Sequence, residues 1–186
     1  MLRKKLKMKR LFSIYLLLFT ITISYCQPTL DVFDIGRKGT VDQVKEKLNE
    51  NPNSFNVVND EGYSPLLLAC YRGNNEVAKL LIEKGSDING KSKFGTPLMA
   101  CIVKGNNEIA KVLIDKKADL NFADLSGMTA LIYAINFKNY EVVSSLVKAG
   151  VNVDFKDTKN KSALDYAILL DDDLLIELLK NKNKKL

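Results

Sequence analysis

After residue 30 the chain repeats itself, and this constrains the fold more than any single residue does. Four segments align: Ser64-Pro65-Leu66-Leu67-Leu68-Ala69, Thr96-Pro97-Leu98-Met99-Ala100-Cys101, Thr129-Ala130-Leu131-Ile132-Tyr133-Ala134 and Ser162-Ala163-Leu164-Asp165-Tyr166-Ala167. Their second positions are 65, 97, 130 and 163, so the spacings are 32, 33 and 33. A second register agrees, with Gly73-Asn74-Asn75-Glu76-Val77-Ala78-Lys79 returning as Gly105-Asn106-Asn107-Glu108-Ile109-Ala110-Lys111. A third runs Gly85-Ser86-Asp87-Ile88-Asn89, Lys117-Ala118-Asp119-Leu120-Asn121 and Gly150-Val151-Asn152-Val153-Asp154. A unit this short cannot bury its own apolar face, so neighbours must stack into one elongated core.

Local chemistry gives each unit two short helices. Ser64, Thr96, Thr129 and Ser162 are placed to cap a first helix, their hydroxyls accepting from otherwise unpaired backbone N–H groups. Pro65 and Pro97 follow at the first helical position, where a missing N–H costs nothing. Gly73 and Gly105 sit where a left-handed residue ends the helix, and Lys138 occupies the same slot in the third full unit. Asn74, Asn75, Asn106 and Asn107 are expected to cap the second helices. Those helices carry apolar residues at helical spacing: Val77, Leu80, Leu81; Ile109, Val112, Leu113; Val142, Val143, Leu146, Val147. Gly62 and Gly127, with Asn160 as a substitute, mark tight turns. The recurring Asp87/Asn89, Asp119/Asn121 and Asn152/Asp154 pairs read as turn hydrogen bonds between units rather than calcium ligands.

The period and the core segments resemble the ankyrin repeat family, with its T-P-L-H-x-A pattern at 33 residues. The resemblance covers about residues 29–186. Two departures stand out: the His position holds Leu67, Met99, Ile132 and Asp165, and the second unit is one residue short near Gly95. The resemblance implies an all-α solenoid of stacked helix-turn-helix units with projecting hairpin loops. Residues 27–186 then form one ankyrin repeat domain. Its parts are an N-terminal capping unit (29–59), full repeats at 60–91, 92–123 and 124–156, and a C-terminal capping repeat at 157–186. Asp31 and Asp34 make the first unit polar where inner units are apolar.

The net charge of +6 belongs to a leader. Six of the 28 basic residues lie before residue 11, and residues 1–26 contain no acid. The remaining 22 match the 22 acids, so the body is neutral and offers no general attraction to nucleic acid. Residues 11–25 are uncharged and largely apolar. As a helix they would span roughly 22 Å, short of the roughly 30 Å hydrocarbon core. Residues 1–26 therefore read as a signal peptide cleaved before Gln27, which makes the mature protein exported, periplasmic or secreted. Membrane anchoring is the second reading, through a retained leader or through lipidation of Cys26; the run ending at Cys26 loosely resembles a lipobox, in which Tyr25 fits poorly. The mature domain is expected to be a monomer without membrane contact.

Candidates for catalysis are few. The chain has no His, which excludes imidazole acid–base chemistry and His-containing zinc sites. Asp171, Asp172 and Asp173 read as a helix start, because consecutive helical side chains point in different directions. No metal or cofactor is expected. Cys70 and Cys101 lie in neighbouring first helices, at positions where the resemblance places small buried Ala. Two buried thiols, a disulfide or a reactive thiol all remain open.

The resemblance places partner contacts on a concave surface of hairpin tips and first-helix sides. Mapped unit by unit, it gives Tyr63, Tyr71 and Arg72; Lys93, Phe94 and Lys104; Met128, Asn136 and Phe137 as partner-binding candidates. Tyr and Arg are the types that dominate interface energies. The function expected is non-catalytic binding of a protein partner. Narrower alternatives are an inhibitor or immunity protein of an extracytoplasmic toxin or enzyme, and a membrane- or lipid-anchored scaffold.

Overall fold

The structure is a computed structural model that describes residues 30–93 and 95–180. The expected leader (1–26) and Phe94 lie outside the described residues. Ten helices form five antiparallel pairs among the described residues. They are α1 (Val32–Lys38) with α2 (Val41–Glu50), α3 (Pro65–Arg72) with α4 (Asn75–Glu83), α5 (Pro97–Val103) with α6 (Asn107–Asp115), α7 (Ala130–Asn136) with α8 (Tyr140–Lys148), and α9 (Ala163–Leu169) with α10 (Asp173–Lys180). First helices pack on first helices, and second helices on second helices. The only strand-like pairings among the described residues are isolated bridges within the hairpins. The all-α stacked solenoid expected from the period is what the structure shows.

The helix starts follow the hydroxyls. Ser64 Oγ accepts from the Leu67 N–H at 3.1 Å, Thr129 Oγ1 from Ile132 at 3.3 Å and Ser162 Oγ from Asp165 at 3.3 Å. Thr96 Oγ1 accepts from Met99, whose sulfur in turn accepts from the Thr96 N–H. Each removes an unpaired donor worth about 1 kcal/mol. The first helices of the four later units end at left-handed residues: Gly73, Gly105, Lys138 and Asp171, with φ of 71°, 68°, 50° and 50°. Lys138 carries its strain usefully, since its Nζ lies 3.4 Å from Asp172 Oδ2 in the next unit.

The asparagines depart from expectation. Asn74 and Asn106 stand at the second-helix starts without capping them. Asn74 Nδ2 instead donates to the Gly39 carbonyl of the preceding unit at 3.0 Å. Asn106 Nδ2 donates to Asn75 Oδ1, and Asn139 Nδ2 to Asn107 Oδ1, both at 2.7 Å. Of these three N-cap residues, Asn139 alone also caps its own helix, accepting from Val142. The side chains bridge units because the neighbouring unit offers an acceptor within reach, whereas the first turn of the helix still reaches solvent. The turn pairs behave as read: Asn89 Oδ1 accepts from the Asp119 N–H and Asn121 Oδ1 from Asn152, both at 2.8 Å.

Between units the apolar faces close. Leu66, Leu98 and Leu131 are buried on the first helices, and Leu81, Leu113 and Leu146 on the second. Each contributes roughly 1.5–3 kcal/mol on leaving water. The stack ends visibly at α9: Ile102 and Ile135 are 1% and 0% exposed, while Ile168 in the same slot is 57% exposed.

At the other end, α1 lies hard against α3. A Cβ on Gly36 would sit 2.5 Å from the Pro65 carbonyl oxygen. At Gly73 the space is open, and only the positive φ resists a side chain. Gly73→Ala should therefore lose about 1 kcal/mol of stability. Gly36→Ala should lose more, about 2–3 kcal/mol, because backbone must move. Urea denaturation of both variants checks this; equal losses would mean that α1 shifts freely.

Candidate functional site

The hairpins that precede the first helices share one plan, and one of them breaks it. Asn59, Asp124 and Asp157 each use Oδ1 to accept two backbone N–H groups of their own turn. These turns close with Asn59 N–H on the Tyr63 carbonyl, Asp124 on Met128 and Asp157 on Lys161. Asp124 and Asp157 are also braced from the first helix: Tyr133 Oη donates to Asp124 Oδ2 at 2.6 Å, and Tyr166 Oη to Asp157 Oδ2 at 2.5 Å.

In the second full unit the turn starts at Ser92 and closes on Gly95, 3.0 Å from Ser92 N to the Gly95 carbonyl. Gly95 thus holds the closing position of Tyr63, Met128 and Lys161, and it brings no side chain there; the residue missing from this unit lies inside the turn. The slot that holds Tyr133 and Tyr166 in the two later units, and Leu68 in the first full unit, holds only Ala100 here. Two side chains are absent at one place, and a groove of about 580 Å³ opens there. Leu67, Leu68, Met99 and Ala100 form its apolar floor, and Tyr63, Tyr71, Tyr133 and Phe137 its aromatic walls. Arg37, Arg72 and Glu61 stand on it as charged groups.

The structure brings Tyr63, Tyr71, Arg72 and Phe137 together in this groove. Tyr71 and Phe137 are 42% and 54% exposed. Lys104 joins them indirectly, its Nζ 4.1 Å above the Tyr71 ring centre, a contact worth about 0.5–1 kcal/mol at an exposed site. Lys93 is exposed on the second hairpin, Met128 half-buried on the third and Asn136 exposed at the end of α7; none of the three lines the groove. Sequence reasoning missed Arg37, which comes from the capping unit, and Leu67, Leu68, Met99, Ala100 and Tyr133, which read as core. The exchange of Tyr for Ala100 was visible in the alignment and was the available signal.

The other candidates resolve simply. Cys70 and Cys101 are free thiols and fully buried. Cys101 holds the slot of Ala69, Ala134 and Ala167, as expected. Cys70 does not hold a small slot; it stands where later units carry Ile102, Ile135 and Ile168. A hydrogen bond with the Cys101 thiol, together with burial, pushes the Cys70 thiol well above its ordinary range, which disfavours the nucleophilic thiolate. Asp171 is the left-handed residue, and Asp172 Oδ1 caps α10 by accepting from Leu175. Among the described residues no group of three or more His, Cys, Asp or Glu could hold a metal ion, and no helix is long and apolar enough to cross a membrane.

Desolvation, then the bond to Asp124, pushes the Tyr133 hydroxyl up from 10.0 to about 12. The folded state thus holds this proton more tightly than the unfolded chain does. Its contribution is complete below pH 10 and is lost as pH rises toward 12. Ultraviolet titration should show one tyrosine ionising near pH 12. Tyr133→Phe should remove that transition and flatten the fall in stability between pH 10 and 12. A transition that persists in the variant would place the tight proton elsewhere.

Known proteins agree with this architecture. A family described as "Ankyrin repeats (3 copies)" matches residues 35–124 and 118–186. Over 59 residues, 32% of the chain, it is 41% identical to the Ankyrin repeat and SAM domain-containing protein 6 of Rattus norvegicus. Over 48 residues, 26% of the chain, it is 42% identical to the Acyl-CoA-binding domain-containing protein 6 homolog of Dictyostelium discoideum. The Scaffold protein ILK of Homo sapiens is 37% identical over 59 residues, again 32% of the chain. The matches span only 7%, 17% and 13% of those proteins' own lengths. With its repeats matched from residue 35 to residue 186, the chain belongs to the ankyrin repeat family, a family of protein-interaction modules.

Proposed function

We propose that this chain is an exported, non-catalytic binding protein that holds a protein partner in the groove along its first helices. The observation that carries this reading is the groove itself. Tyr71 and Phe137 present large apolar surfaces to solvent beside Arg72, and such residues concentrate interface energy when a partner desolvates them. The name of the human relative, a scaffold protein, points the same way. Export rests on the basic run before residue 11 and the uncharged stretch at 11–25.

The binding half is tested by capturing partners on the immobilised protein and identifying them by mass spectrometry. Changing Tyr71, Arg72 and Phe137 together to Ala should weaken the recovered partner's affinity at least about tenfold. Stability should stay within about 1 kcal/mol, since these side chains are outside the core. A matched control changes the exposed Glu83 and Lys116, on the second-helix side. Loss of binding in the control, with normal binding in the groove variant, would overturn the reading.

The export half is tested by intact-mass analysis of the protein from fractionated cells. A chain beginning at Gln27 outside the cytoplasm is expected. Full-length chain in membranes, or a diacylglycerol adduct on Cys26, would replace export in free form with anchoring.

A further inference from the structure

We propose that the recess of the second full unit receives one bulky apolar side chain from an acidic segment of the partner, whose flanking carboxylates pair with Arg72 and Lys104. This rests on the reading of the groove as a protein-binding surface and names the chemistry that the surface selects.

The apolar half of the inference follows from what the unit lacks. Where the third full repeat and the C-terminal capping repeat place a Tyr against a hairpin Asp, this unit has Ala100 and Ser92. Its hairpin also omits the side chain that Tyr63, Met128 and Lys161 provide. The space left is floored by Leu68, Met99 and Ala100 and walled by Tyr133. A void with apolar lining has lost the dispersion contacts that a filled core makes. A side chain of Leu, Phe or Trp size would restore them and remove its own surface from water at about 25 cal/mol per Å².

The acidic half follows from the charge balance of the two sides of the stack. On the second-helix side, cations are answered by acids of the next unit: Lys79 by Glu108 at 2.6 Å, and Lys111 by Glu141. On the groove side this pairing stops. Arg37 is held by Asp34 at 3.0 Å, but neither Arg72 nor Lys104 has an ion pair among the described residues. Glu61 is the one acid among the described groove residues. A partner carboxylate would therefore meet uncompensated positive charge, with Arg72 able to bind it through two parallel N–H donors. Two cations without an ion pair beside an apolar recess, one of them seated over the Tyr71 ring, suit an acidic peptide far better than a polyanion, which would need a long run of cations.

The test uses fluorescence anisotropy with labelled synthetic peptides of about ten residues, about 33 Å long when extended. One set places Leu, Phe or Trp among Asp and Glu. A second places the same residues among Lys, and a third keeps the acids with Ala at the centre. The first set should bind, more weakly as salt rises, and the other two should bind at least about tenfold less tightly. Ala100→Tyr, which refills the recess with the side chain of the two units that follow, should reduce binding of the first set at least tenfold. Arg72→Glu changes an exposed residue and should shift preference toward the Lys set. Circular dichroism confirms that each variant is folded; if Ala100→Tyr unfolds, the Arg72→Glu shift and the bulky-over-Ala preference decide alone. Equal binding of all three sets, or a first set indifferent to Arg72→Glu, overturns the inference. So does a single-stranded oligonucleotide that binds as well as the first set. Failure here combined with loss of the captured partner in the Tyr71, Arg72 and Phe137 variant would leave the protein-binding reading standing and remove only the acidic-apolar chemistry.

Discussion

The structure depends on apolar faces that no unit can bury by itself. Leu66, Leu98 and Leu131 run along the first-helix layer and Leu81, Leu113 and Leu146 along the second, each closed by its neighbour in the stack. Helices of seven to ten residues are too short to persist alone in water. Their order comes from this lateral burial, and so stability is close to a sum of unit and interface contributions. The dependence is plain at α9, where Ile168 repeats an inner-unit residue and stands exposed.

Apolar burial alone would let units slide, because it has no direction. Register comes from hydrogen bonds placed once per unit. The Asn amides that reach from Asn106 to Asn75 and from Asn139 to Asn107, and the turn bonds from Asn89 and Asn121, recur at the spacing of the repeat. Each satisfies a backbone or side-chain group that a shifted register would leave unpaired. The ion pairs Lys79–Glu108 and Lys111–Glu141 lie along the same edge and are partly exposed, so they add little strength. Their contribution is to specify which neighbour faces which.

How far this was legible in the residues divides along the same line. The period, the hydroxyl caps, the left-handed slots at Gly73, Gly105 and Lys138, and the turn role of Asp87 and Asn89 are local or repeated, and sequence sufficed for them. The Asn amides were misassigned because their acceptors lie more than 30 residues away, beyond any local rule. Cys70 was misplaced by one slot, which confused the small position of Cys101 with the Ile position beside it. Of the partner-binding candidates, Tyr63, Tyr71, Arg72 and Phe137 share the groove, while Lys93, Met128 and Asn136 lie off it. The family position alone cannot separate these, because which neighbours flank a side chain depends on the units on either side.

The groove illustrates where information about function sits in a repetitive chain. A repeat that matched its neighbours everywhere would present a uniform surface, with each Tyr braced on its hairpin Asp and no space between. This chain keeps the repeat where stacking requires it, at Leu98, Ile102 and the Thr96 cap, and abandons it at Ala100 and in the shortened turn that closes on Gly95. Both departures remove bulk, and they lie five residues apart in the same unit. Selection for stability alone would favour the braced form found in the next two units. A deviation that leaves an apolar recess open between exposed aromatic residues is therefore best explained by what the recess holds.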